Sequence, residues 1–256
     1  MLSLPPIQWL LSLSIFNLSE QESVIITLRR SDERGHANHG WLDAYHSFSF
    51  GQYYDPENMG YSTLRVINQD RIAPSKGFPP HDHQDMEIVT YILDGALEHR
   101  DSMGNRGVIR PGEVQRMSAG SGVTHSEYNH SADETTHLLQ IWITPHTLGT
   151  DPGYEQTRFE DSEKQGRLRL IASPDGSDGS VTIQQDARVY AALLDENEEI
   201  RIQPDGGRKL YLHLARGSLQ LNGELLQAGD GARIEDEPAL NISRGSGAEF
   251  LLFDLA

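Results

Sequence analysis

Hydrophobic residues along the chain come in short alternating or continuous runs that are separated by Gly, Pro, Asn and Asp. Runs of this length, bounded by turn residues, predict β-strands rather than helices. The clearest runs are STLRVIN, EIVTYIL, EVQRMSA and HLLQIWIT in the first half, and KLYLHLA, SLQLN, ALNIS and EFLLFDL in the second. Many short strands with frequent turns are typical of β-sandwiches and β-barrels. The pattern therefore predicts a mainly β fold.

The two halves of the chain carry the same arrangement of strands and turns. YILDGALEH followed by RPGEVQRM in the first half is repeated as LHLARGSLQL followed by QAGDGARI in the second, with glycine turns at Gly95 and Gly217. A repeat of this length indicates a duplicated domain rather than a solenoid. The Pro and Gly cluster TPHTLGTDPG, residues 144–153, is the best boundary. We expect two tandem β-barrels, over residues 25–148 and 149–256.

Residues 1–24 are apolar and precede the first predicted strand. They could be mistaken for a secretory signal, but they lack its basic start, because the first Lys or Arg is Arg29, and Pro5 and Pro6 interrupt the run. The run is also too short to span a bilayer of about 30 Å. We expect an N-terminal extension, either non-native or flexible, on a soluble cytoplasmic protein with no membrane contact. A docked helix is the alternative.

The charge of the chain limits its partners. Its 256 residues include 38 Asp and Glu against 21 Lys and Arg, which gives a formal net charge of -17. This excess opposes contact with phosphate backbones, so we expect no direct nucleic-acid binding, whereas a basic protein partner stays open. Cysteine is absent, which excludes disulfides, thiolate metal sites and a cysteine nucleophile. Any metal must therefore bind to histidines and carboxylates.

Two pairs of candidate metal ligands stand out in the first half, which holds ten of the eleven histidines. His81 and His83 are two residues apart, so on an extended strand both imidazoles leave the same face. His125 and Glu127 repeat this spacing beside a glycine-rich turn. On facing strands the two pairs would supply three imidazoles and one carboxylate, a donor set that suits iron, manganese, nickel, zinc or copper. The spacing predicts one divalent metal ion.

The fourth ligand is less certain from spacing than the three histidines, and a lone His-x-His also occurs by chance on protein surfaces. Glu87 lies close to the first pair and competes with Glu127. A carboxylate near a histidine pair can also orient an imidazole without touching the metal. We favour Glu127 because its spacing from His125 places both side chains on one strand face.

Four further histidines do not share the paired spacing, so we expect them to face solvent or cap turns: His99, His130, His137 and His146. An aromatic segment, RGHANHGWLDAYHSFSF, precedes the first predicted strand pair of the barrel. We expect this segment to pack structurally, and Trp41, Phe48 and Phe50 are alternatively candidates for the rim of a pocket that holds an aromatic ligand.

The histidine segments resemble the two motifs of the cupin superfamily, in which three His and one Glu hold a metal inside a β-barrel. The usual glutamate of the first cupin motif is out of register here, because Glu87 is displaced by one residue. The closer resemblance is to the pirin family of bicupins, through HxHxDMEI at 81–88, an S-x-G-N turn at 102–105 and MSAGxGxxHSEYN at 117–129. It extends from about Ile25 to the C-terminus.

The resemblance implies a fold of two tandem cupin barrels, with metal only in the first. It assigns the ligands to His81, His83, His125 and Glu127, and it implies iron(II), with zinc, nickel, manganese or copper as alternatives. The implied activity is that of a quercetin 2,3-dioxygenase, in which a flavonol ring is opened by O2 with loss of carbon monoxide and Glu127 acts as general base. The alternatives are a metal-dependent redox sensor or transcriptional coregulator acting through protein partners, and a cupin enzyme for another substrate.

Overall fold

Short strands make up most of the computed structural model, which describes residues 25–256. The prediction of a mainly β protein is confirmed. The N-terminal extension at 1–24 lies outside the described residues. Within the described part of the chain, no helix has the length and hydrophobicity needed to cross a membrane.

The strands fall into two groups along the sequence. The first half contains β1 (Ile25–Arg29), β2 (Gly35–Asn38), β3 (Leu42–His46), β4 (Leu64–Ile72), β5 (Gly77–His83), β6 (Glu87–Asp94), β7 (Leu97–Asp101), β8 (Arg106–Ile109), β9 (Glu113–Ser118), β10 (Val123–Asn129) and β11 (Thr136–Ile143). The second half contains β12 (Gly153–Arg158), β13 (Arg169–Ser173), β14 (Val181–Thr182), β15 (Ala187–Leu194), β16 (Glu199–Ile202), β17 (Lys209–Leu221), β18 (Glu224–Gln227), β19 (Gly231–Glu235) and β20 (Leu240–Leu255). The helical turns are α1 (Asp161–Lys164) and two 3-10 turns, Ser31–Glu33 and Ser177–Gly179.

Two strands of the second half are longer than their sequence suggests. KLYLHLA and SLQLN both lie in β17, and ALNIS and EFLLFDL both lie in β20, so four predicted strands are two. Gly217 has the positive φ of 70° expected of a turn glycine, but the ladder to β20 shifts register there and continues. Gly95, with φ 76°, does form the predicted turn between β6 and β7. The glycine of the second half therefore bends a strand without ending it.

Two sheets build the first half as a β-sandwich. A four-stranded sheet in the order β5-β10-β7-β8 packs on one face of a seven-stranded sheet in the order β12-β9-β6-β11-β4-β3-β2. Aliphatic residues of both sheets, including Leu97, Ile92 and Leu138, fill one end of the space between them. The other face of the seven-stranded sheet packs on the second half through a core that contains Ile67, Tyr91 and Phe253.

Hydrogen bonding between strands crosses the predicted boundary at residue 148. β1 pairs with β19 of the second half, in a register that runs from Ile25 opposite Glu235 to Arg29 opposite Gly231. In return, β12 pairs with β9 of the first half along its whole length. Each half thus completes a sheet of the other.

Aliphatic side chains fill the interior of the second half. This cluster includes Leu212, Leu214 and Phe250, and Ile26 and Leu28 of β1 pack against it. His213 lies between two members of the cluster on β17, so its ring leaves the opposite face of that strand, and it is fully buried. Burial lowers the pKa of His213 well below its usual value. That the second half holds no metal stays a prediction.

We predict that β1 is essential for stability. Deleting residues 1–30 removes the partner of β19 and the ion pair between Arg30 and the buried Asp230, whose atoms Nη1 and Oδ2 are 2.9 Å apart. Loss of a hydrogen bond to a buried charged group costs about 1–3 kcal/mol, and loss of the β1 ladder adds to that cost, so the melting temperature should fall on the order of 10 °C or soluble protein should be lost. The control deletion of residues 1–24 should leave it nearly unchanged. Equal melting temperatures for the two deletions would contradict this role of β1.

Candidate metal centre

The pairing of two neighbouring strands brings three of the predicted ligands together. β5 and β10 run antiparallel in the four-stranded sheet, and His81 lies directly opposite His125. The predicted alternation places His83 on the same face as His81. The ring centroids of the three imidazoles are 4.5 to 4.8 Å apart. The structure therefore converts two separate sequence pairs into one cluster.

The distances within the cluster fit a single ion. Nitrogen atoms of His81, His83 and His125 all lie within 4.8 Å of one another. Nε2 of His81 and Nε2 of His125 are 3.0 Å apart. Two nitrogen ligands about 2.1 Å from an ion and at right angles to each other would be about 3.0 Å apart. The observed separation is therefore one at which both nitrogens could bind the same ion.

The protonation of the cluster also suits metal binding, which requires neutral imidazoles. Burial, helped by the neighbouring imidazoles, lowers the pKa of His125 to about 3 and that of His83 to about 4. Nδ1 of His81 is 2.8 Å from the carbonyl oxygen of Pro79 and donates a hydrogen bond to it. This bond leaves the lone pair of His81 Nε2 facing His125.

Glu127 lies inside the sandwich beside His125 and is 3% exposed. Its carboxylate forms a second group of potential ligands with His125 and His99, so His125 is common to both groups. Nε2 of Gln140 donates to both carboxylate oxygens, at 3.2 and 3.0 Å, and fixes their orientation. Burial raises the pKa of Glu127.

Glu87, the competing carboxylate, faces away from the cluster. It precedes Ile88, which lines the cavity of the histidines, and its own side chain leaves the opposite face of β6. There it accepts a hydrogen bond of 2.7 Å from Ser118 Oγ. The geometry therefore favours Glu127 over Glu87 as a fourth ligand.

Two of the histidines expected to face solvent are buried. His99 has 0% of its surface exposed, and His137 has 7%. The expectation was wrong because β7 pairs with β10, which places His99 directly opposite Glu127 inside the sandwich. His137 is held between the halves, where its Nε2 is 3.0 Å from Gln69 Nε2. His130 and His146 are exposed, as predicted.

His99 connects the cluster to the turn at 102–105. Its Nδ1 is 3.4 Å from Nδ1 of His125, and its Nε2 donates to Asp101 Oδ2 at 3.2 Å. Burial opposes ionisation of Asp101, but hydrogen bonds from Asn105 and His99 hold its pKa below the usual value. With Nε2 of His99 protonated, its Nδ1 accepts the proton of His125 Nδ1, which leaves Nε2 of His125 free for a metal.

We predict that His99 and Asp101 set the metal affinity of the site. Substituting His99→Phe keeps a ring that can stack on Tyr154 but removes the acceptor for His125. Because partners of this kind typically contribute 10- to 100-fold in affinity, competition with a chelator should show a loss of about that size, and Asp101→Asn should behave similarly. Substitution of the exposed His130 by Ala is the control. Unchanged affinity in both variants would mean that His99 only fills space.

A cavity of about 320 Å³ adjoins the cluster, between the two sheets. Apolar and aromatic side chains make up most of its wall, while the histidines and Glu127 lie at one side. The wall residues are Leu42, Ala44, His46, Phe50, Asn68, Asp70, Phe78, Ile88, Gln140 and Trp142. This volume is at the lower end of the range for small-molecule sites, which begins at about 300 Å³.

Of the three aromatic candidates for the rim, the structure places only Phe50 in the cavity wall. Phe48 is buried in the core between the halves, 5.4 Å from the ring of Tyr211, so it packs structurally and does not line the cavity. Trp41 packs edge-on against Phe78, behind the wall. Trp142 lines the cavity and was missed, because its strand HLLQIWIT looks like an ordinary buried strand.

Two family models match the chain, one in each half. A family model described as Pirin matches residues 27–143, and one described as Quercetinase C-terminal cupin domain matches residues 170–255. These matches, with the structural one below, confirm the predicted cupin-type fold in two parts.

Full-length relatives match as well. The quercetin 2,3-dioxygenase of Escherichia coli (strain K12) is 49% identical over 231 residues, which cover 90% of this chain and 99% of that protein. The pirin-like protein of Caulobacter vibrioides is 46% identical over 226 residues, 88% of this chain and 97% of that protein. The crystal structure of the bacterial pirin YhhW from Escherichia coli in complex with nickel(II) superposes with a TM-score of 0.86 at 48% identity, covering 90% of this chain and 99% of that one.

Proposed function

The chain belongs to the pirin family, and on that premise we propose that it is a metal-dependent oxidoreductase of the quercetin 2,3-dioxygenase type. The observation that carries the proposal is the cluster of three histidines in the wall of an apolar cavity, with the buried carboxylate of Glu127 next to one of them, His125. Relatives that bear this activity in their names share nearly half of their residues with this chain over nearly their whole length. The proposed substrates are a flavonol and O2.

We propose that His81, His83, His125 and Glu127 hold one divalent ion. The three imidazoles and the carboxylate are donors that iron(II), nickel(II) and other first-row ions accept, and the related YhhW structure contains nickel(II). For the native ion of this protein we propose iron(II), which elemental analysis of purified protein tests. The bound ion would supply Lewis acidity that lowers the pKa of the flavonol 3-hydroxyl.

Glu127 is the group that would take the proton of the 3-hydroxyl. Its raised pKa makes it a stronger base than an exposed glutamate, and Gln140 holds the carboxylate in one orientation. Phe50, Phe78 and Trp142 supply aromatic surface for a flat substrate. In the overall reaction, both oxygen atoms enter the substrate, its central ring opens and carbon monoxide leaves.

The decisive test is oxygen uptake by purified protein with quercetin, with carbon monoxide as a second product to be measured. Protein loaded with iron(II), nickel(II) or copper(II) should consume O2 and release carbon monoxide in equal amounts, and chelated protein should not. Absence of uptake with every flavonol and every ion would refute the enzyme proposal. A redox sensor acting through a protein partner would then replace it.

We also propose that the protein is cytoplasmic, which cell fractionation tests.

A further inference from the structure

One carboxylate in the cavity wall has no role in the site described so far. Asp70 lies on β4, directly opposite Ala44 of β3 and Leu138 of β11. Its side chain enters the cavity, and the residue is only 4% exposed. Its Oδ1 is buried and has no hydrogen-bond partner. Burial and the nearby Glu127 raise the pKa of Asp70 to about 8, so a neutral carboxyl group stands among apolar neighbours with unused hydrogen-bonding capacity.

Such a group is costly for the fold. A buried polar atom without a partner typically destabilises a protein, because it has lost its hydrogen bonds to water and gained none. Natural proteins retain groups of this kind mainly where function needs them. A residue that destabilises the unliganded protein is therefore a candidate for contact with a ligand that supplies the missing hydrogen-bond partner.

The polar residues next to Asp70 are already engaged with one another. Asn68 precedes Asp70 by two residues on β4, and its Oδ1 is 2.8 Å from Nδ1 of His46 on the neighbouring strand. Gln140, opposite Asn68 on the other neighbouring strand, bonds to Glu127 and accepts from Thr90 Oγ1 at 3.2 Å. Asp70 forms no hydrogen bond with these side chains, and a ligand in the cavity can reach it.

We propose that Asp70 is a specificity-determining residue that accepts a hydrogen bond from a phenolic hydroxyl on an outer ring of the substrate. The inference rests on the proposed function, since it concerns the substrate of that site. Ala44 and Phe78 of the cavity wall supply apolar surface for a flat ring, and a hydroxyl on the edge of that ring would supply the donor that Oδ1 lacks. A ring without that hydroxyl would leave the carboxyl group buried and unpaired, which is a strong basis for rejection.

The test compares binding of two flavonols to the metal-loaded protein without oxygen. Quercetin carries hydroxyls on both outer rings, whereas 3-hydroxyflavone retains only the 3-hydroxyl. Leaving a buried polar group without its partner lowers affinity about 10- to 100-fold, so the wild type should prefer quercetin by a ratio of that order. Asp70→Leu should lower the ratio about 10-fold or more, mainly through weaker quercetin binding. Asp70→Asn keeps an oxygen acceptor and should retain part of the preference.

The melting temperature of Asp70→Leu is a second measurement. It should rise if Asp70 serves the ligand and fall if Asp70 serves only the fold. Without ligand, the melting temperature of Asp70→Leu should rise by roughly 2–8 °C, because an unpaired buried carboxyl group is removed. Metal content should not change. The matched control is Asp43→Asn, one strand away, whose carboxylate is half-exposed and bonded to His36 Nε2 at 2.6 Å. It should leave the affinity ratio as in the wild type.

Three outcomes overturn the inference. If the wild type binds and consumes quercetin but Asp70→Leu keeps the wild-type ratio, only the role of Asp70 fails. A lower melting temperature with an unchanged ratio assigns Asp70 to the fold instead. If the wild type neither binds nor consumes any flavonol, the proposed function fails, and this inference fails with it.

Discussion

Substituting Glu127→Gln should lower flavonol-dependent oxygen uptake by about 10²- to 10⁴-fold, the range that a positioned general base typically contributes. Glutamine is close to glutamate in size and keeps one oxygen donor, so the cavity and the orientation of His125 should survive. The amide cannot accept the proton of the 3-hydroxyl at neutral pH. Three histidines should still hold the ion, with weaker affinity because the negative charge is lost. Elemental analysis and oxygen uptake on the same preparation measure both effects.

The matched control for this variant is Glu87→Gln. Glu87 is also buried and also has a raised pKa, chiefly because of its burial, but its side chain lies on the other face of β6 and bonds to Ser118. Its substitution should change turnover much less than that of Glu127. If the two variants behave in the opposite order, the carboxylate of the first motif is the working group and the assignment of Glu127 is wrong.

The second large effect concerns metal content. Wild-type protein should carry about one ion per chain, because the described clusters of potential ligands all lie in the first half and share His125. Replacing both His81 and His83 with Ala removes two of the three imidazoles of the cluster and should reduce metal content to near zero. Both residues are only half-buried, so the sandwich should remain folded. Circular dichroism and elemental analysis check the two statements separately.

A suitable comparison for the metal-free variant is the substitution of His130 and His146 by Ala. These two histidines are exposed and remote from the paired spacing, so their loss should leave about one ion per chain. Two ions per wild-type chain would point to a second site, which the aliphatic interior of the second half argues against. If the protein retains metal after loss of His81 and His83, the ion must bind to the other group of potential ligands, which is His99, His125 and Glu127.

The sequence was sufficient to predict the strand pattern and the shared strand faces of His81, His83 and His125, because both depend on one local rule. Side chains alternate along a strand, so residues two apart share a face whatever the rest of the fold does. The burial of His99 was not readable, because it depends on β10 being the neighbour of β7. Sheet partners are chosen by tertiary packing, which no local pattern specifies.

A weaker signal for Asp70 was present in the sequence. In LRVINQDRI the alternate positions Val66, Asn68, Asp70 and Ile72 share one face, and two polar residues interrupt an otherwise apolar series. An interruption of this kind in a buried strand marks either a surface or a site. Only the structure distinguishes the two, because it shows that the face of β4 that carries Asp70 turns toward the cavity.

The pairing of β1 with β19 has a consequence for synthesis on the ribosome. Arg30 and its partner Asp230 are 200 residues apart, so the first described strand must wait until most of the chain has been translated. The sheets around the histidine cluster need nothing beyond β12, which is translated much earlier. Contacts between such distant residues form slowly, and an open strand edge invites association with other nascent chains. We therefore expect the metal centre to be assembled co-translationally, and the closure of β1 onto β19 to be among the last events of folding.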